Sequence, residues 1–109
     1  MKISQLIYKE DKWVKNCMAL TKNGRKLYDL NIIHSPNGPV YDPSKDCVAF
    51  SLYGAISHLY SGDGQQDVCL KLGDVIRRYY GGKIFLAEFN NRPETSFQDI
   101  KNVLAIAKL

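Results

Sequence analysis

The sequence predicts a single α+β domain that is mainly helical, and three observations carry that expectation. Residues 42–60 place apolar side chains around most of a helical wheel, as a helix wrapped by other elements does. Asn23-Gly24 separates two partly apolar runs in the manner of a β-hairpin. Residues 65–80 and the stretch from Thr95 then bring apolar side chains to one face at helical spacing.

A chain of 109 residues suits one compact domain, 1–109, with a real core. Its net charge of +4 permits a nucleic acid or an acidic partner but indicates neither, because the lysines are spread from Lys2 to Lys108. Cys17, Cys47 and Cys69 are an odd number at wide spacing, which points to reduced thiols rather than a disulfide framework or a zinc site. No apolar run approaches the roughly 20 residues of a membrane helix. Lys9, Glu10 and Asp11 cut short any signal-peptide core at the start. The expected location is the cytoplasm, with no membrane association and no cofactor.

Residues 1–8 fit a short helix or a strand equally. The hairpin is expected over 13–30, with a two-residue type I′ turn at Asn23-Gly24, because both residues accept positive φ. Pro36, Asn37, Gly38 and Pro39 make 31–42 a loop. The central helix is predicted over 44–60, capped by Asp42 or Ser44, with Pro43 suited to the first position. Val48, Leu52, Ala55 and Leu59 form its main stripe, and Cys47 falls in its first turn beside Asp46. After Ser61-Gly62, Asp63 is the expected cap of a helix over 65–80 with Val68, Leu72, Val75, Ile76 and Tyr79 on its apolar face. Arg77 and Arg78 suit the negative dipole end of that helix, and Gly81-Gly82 stops it. Residues 83–89 are ambiguous, and Ala87 and Glu88 favour helix over strand. Residues 90–94 read as a turn. Thr95 and Gln98 have capping-box spacing before a final helix that buries Ile100, Val103, Leu104 and Ala107.

Four groups of residues, in order, carry a resemblance: Trp13 before Asn23-Gly24; Cys47 with Gly54-Ala55; Phe89-Asn90-Asn91; and Thr95 with Val103-Leu104 and Ala107. Together, over about residues 13–108, they resemble DUF6197, a bacterial and phage domain family of uncharacterised function. Phe89 stands where that pattern usually has Trp, and Asn91 where it has Asp, so a role needing a carboxylate there does not carry over. The resemblance implies a compact helix-rich α+β domain and, by association, a host-directed accessory function on a phage or mobile element. It implies no reaction.

Chemistry is sparse. A thiol at a helix N-terminus gains thiolate character from the dipole, so Cys47 is the candidate nucleophile. His34 is its only available base, since His58 lies roughly 16 Å along the same expected helix. Asn90 is the residue to orient His34. The weightier reading is a structural cysteine, because Asp46 opposes the thiolate and cysteine is a common core residue. Asn90, Asn91 and Arg92 form a candidate binding loop at the mouth of a pocket, against the plainer reading that asparagines close turns. Arg77-Arg78-Tyr79-Tyr80 mixes cations and rings as single-strand binders do, but helix capping and the apolar stripe account for it. Gly62-Asp63-Gly64 lacks the Lys-Ser or Lys-Thr of a phosphate loop, and Asp63 with Asp67 falls short of a calcium loop. No metal site is expected. Tyr28 and Tyr41 lie outside the expected helices and would serve as anchors for a protein partner.

The leading functional expectation is a non-enzymatic interaction protein that binds a host protein or complex through 31–42 and the hairpin, as in a phage-encoded inhibitor of a bacterial defence protein. The alternatives are a cysteine-dependent hydrolase or transferase using Cys47, and a small-molecule or nucleotide-binding module.

Overall fold

The computed structural model describes residues 1–27 and 47–109. The chain is mainly helical α+β, as its sequence predicts. In order come α1 (Ile3–Leu6), a 3₁₀ turn (Glu10–Lys12), β1 (Ala19–Thr21), β2 (Lys26–Leu27), β3 (Cys47–Phe50), α2 (Leu52–Leu59), α3 (Asp63–Tyr80), α4 (Leu86–Asn91) and α5 (Phe97–Ala107). The core gathers Ile3 and Ile7, Leu52 and Ile56, Leu72 and Ile76, Phe89, and Ile100, Val103 and Leu104.

The three strands form one antiparallel sheet ordered β2-β1-β3. The expected central helix is therefore two elements. Its first part, from Cys47, is strand, with Ala19 facing Phe50, Leu20 facing Ala49 and Thr21 facing Cys47. That register leaves Val48 as the extra residue of a bulge, and its side chain is exposed. An apolar run of this length fits helix and strand alike by period, and pairing with β1 decides it. The helix starts only at Ser51, whose Oγ accepts the Gly54 N–H at 3.0 Å. Gly54 is needed at that point because a Cβ there would overlap the Met18 carbonyl oxygen. The expected caps Asp42 and Ser44 lie outside the described residues.

The hairpin turns where expected, by a different route. Gly24 has φ +82°, while Asn23 is not in the positive-φ region, which rules out type I′. The Gly24 N–H donates to the Thr21 carbonyl, and the Thr21 N–H donates to the Arg25 carbonyl. This is a three-residue loop with glycine at its last position. The Thr21 hydroxyl accepts the Arg25 N–H and stiffens it.

Three further boundaries move. Gly62, not Asp63, caps α3, and no side chain assists. Tyr79 is 57% exposed, because the buried row of α3 advances in four-residue steps through Val68, Leu72 and Ile76 and so reaches Tyr80 instead. Tyr80 turns inward in its place, its ring 4.8 Å from that of Phe89. The capping box of α5 is Ser96 with Asp99, one residue later than Thr95 with Gln98. The Thr95 hydroxyl is engaged elsewhere, accepting from Arg92 Nε at 2.8 Å. The ends of the described chain meet, with the Ser4 N–H donating to the Leu109 carbonyl.

Candidate functional site

The aromatic-Asn-Asn stretch forms the last turn of α4 rather than the expected turn, and that places it against the N-terminal segment. Phe89 and Asn90 are buried, and the Asn90 carboxamide reaches three other parts of the chain. Its Oδ1 accepts from Trp13 Nε1 at 2.8 Å and from the Leu52 N–H at 3.0 Å. Its Nδ2 donates to the Val14 carbonyl at 3.0 Å and to Asn91 Oδ1 at 2.8 Å. A carboxamide offers two acceptor sites and two donors, so Asn90 is saturated within the protein.

Asn91 extends the same network, its Oδ1 accepting the Asn16 N–H at 2.7 Å. Asn16 sits at φ +64°, a region that asparagine tolerates better than most residues, and the Asn91 bond holds it there. Lys15 caps the carboxyl end of α4, donating from Nζ to the Arg92 carbonyl at 2.7 Å. The Lys15 ammonium also lies 5.3 Å from the Trp13 ring. Arg92 spreads its guanidinium over the rings of Phe89 and Tyr80, at 5.2 and 5.7 Å. Its contact with Glu94 at 3.7 Å is at the surface and contributes little. Beneath it, Tyr80 Oη donates to Asp99 Oδ1 at 3.0 Å and so ties the end of α3 to the start of α5.

These contacts form a fastener between α4, the start of α2 and residues 13–16. Asn90 has no polar atom left for a ligand. Asn91 Nδ2 and the terminal nitrogens of Arg92 keep donors that are not engaged among the described residues. The structure brings Asn90, Asn91 and Arg92 together. Their geometry is that of a clasp first and a binding surface second.

Cys47 lies in β3 and not in the first turn of a helix, so the dipole argument for its activation fails. His34, its expected base, and the expected anchors Tyr28 and Tyr41 lie outside the described residues. Burial pushes the Cys17 thiol up, against the opposing pull of Lys26, and burial alone does the same to Cys69. Both are thereby kept protonated and poorly nucleophilic. Among the described residues no cluster of His, Cys, Asp or Glu is placed to hold a metal ion. No helix among them is long and apolar enough to cross a membrane.

The partner the sequence did not disclose is Trp13. The signal was present in kind: a tryptophan, the only one in the chain, needs an acceptor for its indole N–H when packed. Comparison with protein-family models, curated proteins and solved structures finds no match to this chain.

Proposed function

We propose that this protein is a non-enzymatic interaction protein that binds a host protein or complex through residues 31–42 and the hairpin. The observation that supports the reading is the saturated Asn90 carboxamide. The residues best suited to chemistry by type are occupied with fastening the fold, and Cys47 sits on a strand. The order of Trp13, Gly54-Ala55, Asn90 and Thr95 resembles the DUF6197 pattern. That resemblance supports a phage or mobile-element accessory role, directed at a bacterial defence protein. On this reading the motif resembling the family maintains the scaffold, and the partner-specific contacts lie elsewhere, with Tyr28 and Tyr41 as anchors.

The test is affinity capture from a bacterial lysate with tagged wild-type protein and with a Tyr28→Ala, Tyr41→Ala double variant. One stoichiometric protein held by the wild type and lost by the variant is the expected result. A partner retained equally by the variant, or a nucleotide carried through purification in place of a protein, overturns the reading.

A further inference from the structure

The end of α3 and the turn after it carry a second surface that does not depend on the reading above. Tyr79, in the last turn of α3, is 57% exposed, and Phe85, which caps α4, is 69% exposed. Arg78 and Lys83 are exposed beside them in sequence. No acidic residue occurs from Val75 to Ala87. Arg77 is engaged with Asp74 at 2.6 Å, whereas Arg78 and Lys83 meet no carboxylate among the described residues.

The backbone under both rings is ordered by its own contacts. Tyr79 rides on the eighteen-residue α3, whose end is fixed inward by the Tyr80–Phe89 ring contact. The Phe85 carbonyl accepts the Phe89 N–H at 2.9 Å, and Ile84 packs into the core beneath Gly81. Gly81, at φ +134°, and Gly82 leave the turn between the rings without side chains. Two exposed rings, two cations that meet no carboxylate among the described residues and a bare glycine turn are thus held on ordered backbone.

We infer that this surface binds single-stranded nucleic acid, with Tyr79 and Phe85 stacking on bases and Arg78 and Lys83 meeting phosphates. Base stacking on exposed rings, flanked by cations that track the backbone, is how sequence-tolerant single-strand sites are built. A stable protein interface needs roughly 800 Å² from each partner, far more than two exposed rings supply. An anionic membrane would need a continuous apolar face to bury, and Ile84, between the rings in sequence, is turned inward.

The test is fluorescence anisotropy of the full chain with a labelled oligothymidylate of about twenty nucleotides, and with a duplex of equal length. Single strand is expected to bind more tightly than duplex. Tyr79→Ala and Phe85→Ala should each weaken binding at least about fivefold, with unchanged melting temperature because both side chains are exposed. Two phosphate contacts on a single strand predict about a sevenfold loss of affinity between 50 and 200 mM salt. Arg78→Gln with Lys83→Gln should flatten that dependence. No binding at low salt, equal binding of duplex, binding indifferent to all four substitutions, or equally tight binding to phosphatidylserine vesicles through the same residues overturns the inference.

Discussion

Removing the Asn90 carboxamide would strand the indole N–H of Trp13, the backbone N–H of Leu52 and the carbonyl of Val14 in one step. Buried polar groups left without partners cost more than the bonds themselves were worth. Asn90→Ala should therefore destabilise the domain by about 2–4 kcal/mol, read as a lower urea midpoint. The emission of Trp13 should shift as its indole loses its partner. Gly54 works by absence of a side chain. Gly54→Ala forces a methyl group into the Met18 carbonyl, so α2 must back away from the strand beside it. A loss of about 2 kcal/mol or more is expected, measured by thermal unfolding, although alanine is the better helix former by about 1 kcal/mol.

At the scale of elements, adjacent Thr95 and Ser96 separate two kinds of stability. Ser96→Ala removes the cap of α5 and should cost about 1 kcal/mol. Thr95→Ala removes the acceptor for Arg92 Nε from a buried position, so its effect should shrink when Arg92 is also replaced. A double-mutant cycle checks this: coupling is expected between Thr95 and Arg92 and none between Thr95 and Gln98. The sequence places the expected cap at Thr95 with Gln98, and the pair that forms it, Ser96 with Asp99, is offset by a single position. What separates them is tertiary, namely the reach of Arg92. The same distinction runs through the fold. Helix α3, the apolar face of α5 and the site of the hairpin turn are legible because caps, periods and glycines are local. The strand at Cys47–Phe50 is not, because its partner β1 lies far earlier in the chain. Asn90, Asn91 and Arg92 are recognisable by type, but their work depends on where residues 13–16 come to rest.

For the whole molecule, the junction of α3 with α5 sets a dependence on pH. The Ser96 backbone N–H holds the Asp99 carboxyl below the usual range, against a smaller opposing effect of burial, with help from the Tyr80 hydroxyl. A carboxyl whose folded value is depressed binds fewer protons folded than unfolded, so its contribution is present above its unfolded value of about 3.9 and declines as pH falls. Tyr80 behaves oppositely at the other end of the scale. Burial, then the bond to Asp99, pushes its hydroxyl up, so stability declines as pH rises past about 10. Urea midpoints followed from pH 7 to 2 should fall, and Asp99→Asn should flatten that acid limb.

The Trp13–Asn90 bond also spans 77 positions of the chain, and the Leu52 branch of the same clasp spans 38. Contacts so far apart in sequence close late, after the local helices have formed and the connecting chain has lost its freedom. The clasp should thus be largely unmade at the folding barrier and act on the lifetime of the native state rather than on the speed of reaching it. In stopped-flow measurements Asn90→Ala should raise the unfolding rate while leaving the refolding rate close to wild type. A protease should then digest the variant in proportion to that faster opening wherever cleavage outpaces reclosure. One carboxamide would in this way set how long each copy of the protein persists.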